Sequence, residues 1–111
     1  MDRAANILSH MLEDACEAID FAGQAGSYNE FANSPLYRKA IIMSIINIGE
    51  LAKRLPDEFK IENNHIPWKN IPGMRDIAAH GYHIMDDEIV WDVVTHSIPE
   101  LLDFLKNYLG E

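Results

Sequence analysis

The chain has 111 residues, 48% of them hydrophobic and 24% charged, with one cysteine and a net charge of −9. These proportions exclude a disordered or collagen-like chain and fit one globular domain spanning 1–111, while the lone Cys16 rules out an internal disulfide and leans towards a reducing compartment. The acidic balance argues against a conventional basic nucleic-acid binder, yet residues 35–83 hold seven Lys/Arg against five Asp/Glu and the remainder two against thirteen.

The opening MDRAANILSH has no basic stretch followed by an apolar run, so no signal peptide is expected. The longest apolar run, IIMSIINI, is far short of the ~20 residues of a membrane span. A cytoplasmic protein with no membrane association is therefore expected.

Taken in order, Ala4, Ile7, Leu8, Met11, Leu12, Ala15 and Ile19 form a helical stripe, with Glu13, Asp14, Glu17 and Asp20 on the other face. This predicts a helix over 3–22, ended by Gly23 and Gly26. Ser27 to Asn33 reads as a connection with one helical turn. Ser34-Pro35 is a strong helix start, serine as N-cap and proline at the first position. The helix it opens runs until Leu55-Pro56 stops it. Its middle, IIMSIINIGELA, is apolar nearly all round and predicts the most buried helix of the protein.

Asp57 to Ile66 reads as irregular or weakly helical, Pro67-Trp68-Lys69-Asn70 as a short turn, and Pro72-Gly73 as a change of direction. MRDIAAHGY is short and helical, with Gly81 as its C-cap. Asp86-Asp87-Glu88 puts negative charge at the start of the last helix, where the dipole favours it. That helix carries Ile89, Val90, Val93, Val94, Ile98, Leu101, Leu102, Leu105 and Leu109, kinked or restarted at Pro99. No alternating strand pattern and no repeat is present. The fold class read from this is all-α, a four- to five-helix up-and-down bundle.

The run MRDIAAHGYH gathers Arg75, Asp76, His80, Tyr82 and His83 at a turn, where scaffolds tend to present functional groups. Asp76 and His80 are four apart and share a helix face. In a purely structural role they form a surface hydrogen-bonded pair. In a chemical role the carboxylate fixes the imidazole tautomer and leaves its second nitrogen free. Arg75 offers a planar fork of donors suited to phosphate. Arginine, an oriented histidine and a phenol are the parts that break an RNA phosphodiester without metal.

Arg75 to Tyr82 fits the R-x4-H-x-Y form of the HEPN motif. With Ile48-Gly49-Glu50-Leu51-Ala52, Ile66-Pro67-Trp68 and Glu88-Ile89-Val90-Trp91 in the same order, the chain resembles the HepT branch of HEPN proteins over nearly its whole length. The resemblance implies a helical homodimer whose two motifs face one cleft, acting on RNA as a metal-independent endoribonuclease toxin. It implies Arg75 and His80 as catalytic. It also implies an MntA-type minimal nucleotidyltransferase antitoxin as partner, with Tyr82 as acceptor of AMP. Where the family often has asparagine after the arginine, this chain has Asp76. A carboxylate there offsets the charge of Arg75 while raising the basicity of His80. The other reading of the same resemblance is a catalytically quiet HEPN module that holds the nucleotidyltransferase or a nucleotide.

Glu50 has two open readings: a buried carboxylate supporting Arg75 or reaching a second subunit, or an exposed residue flanking Lys53 and Arg54. Trp68 and Trp91 read as core fillers before interface stackers. His10, His65 and His96 read as surface. His80 and His83 are three apart, but without a second clustered pair no metal is expected. The chain holds no glycine-rich phosphate loop and no GxSxG, so kinase-like or GxSxG-type hydrolase chemistry finds no support, and no cofactor is expected.

Overall fold

The computed structural model describes residues 3–68 and 86–110. They form α1 (Arg3–Ala25), α2 (Tyr28–Ala32), α3 (Pro35–Lys53), α4 (Asp57–Glu62), α5 (Asp87–Asp92), a π-helical turn (Val93–Ser97) and α6 (Ile98–Leu109). No strand occurs among the described residues, and the chain is an all-α bundle as its periodicity predicts.

The buried face of α1 is Ala4, Leu8, Met11, Ala15, Ala18, Ala22 and Ala25, stepping alternately by four and three. Five of these seven are alanine, and such small side chains let helix axes approach closely. α1 lies chiefly against α3 and α6. The helix runs through Gly23 rather than ending there. Gly26 ends it, at φ +85°, with its N–H bonded to the Ala22 carbonyl at 3.0 Å. Of Gly23 and Gly26, the second alone takes the left-handed conformation a helix C-terminus uses, and one glycine inside a long helix costs only about 1 kcal/mol.

Ser27 caps α2 by accepting from the Glu30 N–H, and Ser34 caps α3 by accepting from the Tyr37 N–H, each at 3.2 Å. On α3, Ile41, Ile42, Ser44, Ile45, Ile48 and Ala52 are buried. The all-round apolar pattern is buried on one side only, however: Leu36 is 72% exposed and Met43 58%. Beyond Pro56 the segment expected to be weakly helical contains the two turns of α4, with Asp57 and Glu58 favourably placed in the first.

α5, the π-turn and α6 form one continuous rod. Pro99 has no N–H for the Thr95 carbonyl and its ring crowds that carbonyl, so regular bonding cannot continue there. The turn before it widens, with the Ile98 N–H reaching back five residues to Val93. The Thr95 hydroxyl donates to the Trp91 carbonyl at 2.7 Å. The expected kink is thus a π-bulge, and Ile98, Leu101 and Leu105 continue the buried face beyond it.

Candidate functional site

Arg75, Asp76, His80 and Tyr82 lie outside the described residues, as does His83. Trp68 and Asp86 are the described residues that flank them in the sequence.

Trp68 is buried to 9% exposure. Its indole N–H donates to the Asn63 carbonyl at 3.1 Å and its backbone N–H to Ile66 at 2.8 Å. The ring lies 5.6 Å from Phe59 and 5.7 Å from Phe104, centroid to centroid. Phe104 also meets the rings of His65 and Tyr108. This aromatic cluster ties the end of α4 to α6, and such contacts add about 0.5–1.5 kcal/mol each beyond area burial. Trp91 instead packs on the fully buried Phe31 at 5.2 Å, joining α5 to α2. Both tryptophans are core-packed in the described fold.

At the other end, Asp86 is the N-cap of α5, accepting from the Glu88 N–H at 2.9 Å and the Ile89 N–H at 3.4 Å. The next residue, Asp87, receives the Arg38 guanidinium: Nε at 2.9 Å and Nη2 at 2.8 Å from the same Oδ1. Both side chains are about three-quarters buried, at 23% and 24% exposed. Desolvation, then the Glu88, Asp87 and Asp86 carboxylates, push the Tyr28 phenol above its ordinary value, with Arg38 opposing. The sequence gives no sign of the Arg38–Asp87 pair, because its members are 49 positions apart and belong to no local pattern.

Glu50 is exposed, its carboxylate 3.1 Å from Lys53 Nζ. Within one subunit this is the geometry of an exposed residue beside Lys53. Glu50 also lines an open groove of about 290 Å³ between α1 and α3 with His10, Asp14, Asn47, Leu51 and Arg54. Partial burial, then the charge of Glu17, raises the Asp14 carboxyl above its usual range, and a hydrogen bond from Asn47 partly offsets this. Sequence reading missed this groove, although its residues sit four or three apart on two helices. His10, His65 and His96 are exposed, as expected. Two of them nonetheless have carboxylate neighbours: His96 Nδ1 is 3.1 Å from Asp92 and His10 Nδ1 3.9 Å from Glu13.

Cys16 is a free, half-buried thiol. Among the described residues no three His, Cys, Asp or Glu side chains converge as metal ligands, and no helix is long and apolar enough to cross a membrane.

The chain matches the family profile described as ribonuclease HepT-like over residues 8–108. It is 35% identical over 102 residues to a Caldanaerobacter subterraneus subsp. tengcongensis protein named, by inference, an RNase, covering 92% of this chain and 90% of that one. A Methanocaldococcus jannaschii protein named in the same way is 33% identical over 108 residues, with 94% and 88% covered. A Thermococcus cleftensis protein named, by inference, ribonuclease HepT is 32% identical over 93 residues, with 81% and 84% covered. No solved structure matches the chain significantly.

Proposed function

The chain belongs to the HepT-like ribonuclease family, and from that premise we propose that it is a metal-independent endoribonuclease, the toxin of a toxin–antitoxin pair. The observation that carries this reading is the intact Arg75, His80 and Tyr82 spacing inside the matched span. His80 takes the proton of a ribose 2′-hydroxyl, and the 2′-oxygen attacks the adjacent phosphorus. The Arg75 guanidinium stabilises the added charge of the phosphorane. The bond to the 5′-oxygen then breaks as an acid protonates it, leaving a 2′,3′-cyclic phosphate and a free 5′-hydroxyl.

In this reading two copies of the chain face their motifs across one cleft, and the exposed Leu36 and Met43 on α3 fit a chain whose apolar surface exceeds what one subunit covers. An MntA-type nucleotidyltransferase is the antitoxin. It transfers AMP from ATP to the Tyr82 hydroxyl with release of pyrophosphate. The added phosphate competes for Arg75 and repels the RNA backbone.

The test is cleavage of RNA by the purified protein in EDTA, with His80→Ala and Arg75→Ala as controls. Both variants are expected to be inactive. Full activity in either one overturns the assigned roles, and loss of wild-type cleavage in EDTA overturns the metal-free route. Asp76 beside Arg75 favours a second reading, a quiet module that only binds its nucleotidyltransferase. Stable association with that enzyme, without RNA cleavage under any condition, would establish it.

A further inference from the structure

We infer that the open groove between α1 and α3 binds a small ω-amino acid, a ligand with an ammonium and a carboxylate at opposite ends of a short methylene chain. The groove is lined by His10 and Asp14 of α1, by Asn47, Glu50 and Leu51 of α3, and by Arg54, which caps α3. All of these belong to the described part of the chain, so the site stands independently of the ribonuclease reading.

The groove carries one unmatched charge of each sign. Among the described residues, neither Asp14 nor Arg54 takes part in an ion pair. Glu50, the other carboxylate of the lining, is already engaged by Lys53 at 3.1 Å. Asp14 is half-buried and accepts a hydrogen bond from Asn47, while burial and Glu17 penalise its charged form. A cation at that end would relieve the penalty. Asn47, which marks the Asp14 end, is seven positions from Arg54 on the same helix. That spacing separates the two ends by about 10 Å along the axis, before the reach of the side chains is counted. A simple amine would leave Arg54 unmatched, and a simple carboxylate would face Asp14 and Glu50. A metal ion would find no set of three ligating side chains among the described residues. Leu51, half-buried and between the two ends in sequence, offers an apolar floor to a methylene chain. At about 290 Å³ the groove lies at the lower end of the roughly 300–1,000 Å³ of small-molecule sites, which limits the ligand to this size.

The experiment titrates 6-aminohexanoate into the full-length protein and follows calorimetry and amide NMR. Hexylamine and hexanoate, each lacking one of the two charges, are the comparison ligands. Ion pairs in an open groove contribute little each, so the expected Kd is on the order of 1 mM. Amide shifts are expected around Asp14 and from Asn47 to Arg54, and both comparison ligands should bind about tenfold more weakly or worse. Asp14→Asn, which keeps a hydrogen-bonding group, and Arg54→Gln should each weaken 6-aminohexanoate by about tenfold or more, while Lys106→Met on the exposed side of α6 leaves it unchanged. Saturating ligand should also lower the titration midpoint of Asp14, against the fixed background of Glu13, Glu17, His10, Glu50 and Arg54. L-lysine and the tripeptide Gly-Gly-Lys separate the two sources of this chemistry, a free amino acid and the C-terminus of a peptide. Absence of saturable binding by all three zwitterions overturns the proposal. So does hexylamine or hexanoate binding as tightly as 6-aminohexanoate, or wild-type affinity in both groove variants. The ligand comparison uses the wild type alone and decides the matter even where a variant fails to fold.

Discussion

Asp14 registers in one carboxyl how closely α1 approaches its neighbours. Its folded value lies above the ordinary 3.8, first because of partial burial and next because of Glu17. For a raised carboxyl the ionised form is the penalised one. The native state therefore carries a cost at neutral pH that lifts as pH falls through the folded value towards 3.8. Asp14→Asn keeps a hydrogen-bonding partner for Asn47 and removes the charge. It is expected to raise the melting temperature at neutral pH, with the gain shrinking as pH approaches the carboxylate range. A lower melting temperature at neutral pH would refute this. Phe31 is the opposite kind of residue: fully buried on a five-residue helix, its ring tilted against that of Trp91. Phe31→Ala is expected to cost about 3–5 kcal/mol in urea denaturation. Neither role is visible in the sequence, where Asp14 sits on a polar face and Phe31 in a polar connection. The proposed motif residues Arg75, His80 and Tyr82 are a different case: residue type, spacing and the family resemblance single them out, and they lie outside the described residues. Arg38 stayed hidden because it belongs to no local pattern and gains meaning only when α3 and α5 meet.

At the scale of elements, the starts of helices were the most readable features. Ser34-Pro35 announces α3 through a capping oxygen and a proline that act locally, and the acidic run Asp86-Asp87-Glu88 marks the start of α5 by its charge, with the Asp86 cap seen only in the structure. Ser34→Ala and Asp86→Ala are each expected to cost about 1 kcal/mol, read from denaturant midpoints, and Asp86→Asn much less. An Asp86→Ala variant as stable as wild type would show that the cap contributes little. Helix ends were harder. Gly23 and Gly26 look alike on paper, and only the backbone conformation shows that the second does the stopping. Pro99 marks a disturbance in the last helix, but its form depends on the apolar face that must continue past it. Keeping Val90, Val93 and Val94 buried together with Ile98 and Leu101 is a tertiary demand, met here by a widened turn instead of a break.

For the whole molecule, the proposed composite site makes activity a property of the assembly. Light scattering is expected to give twice the mass of one chain, and specific RNase activity is expected to fall on dilution as the dimer dissociates. A monomer that retains full specific activity would refute the composite cleft. Co-expression with the nucleotidyltransferase is expected to add AMP to the Tyr82 peptide and abolish cleavage, with Tyr82→Phe still toxic beside that partner. The bundle on which all this depends is spaced by the alanines of α1. Ala15 and Ala18 are wholly inaccessible, and α1 lies against both α3 and α6. Ala18→Leu is expected to cost about 1–3 kcal/mol, because the added carbons must push axes apart rather than fill a void. The seam therefore works as a gauge that admits residues by girth before polarity. Descendants of this sequence can exchange its alanines for glycine, serine or cysteine, but valine or leucine would require a compensating loss of volume on the helix opposite.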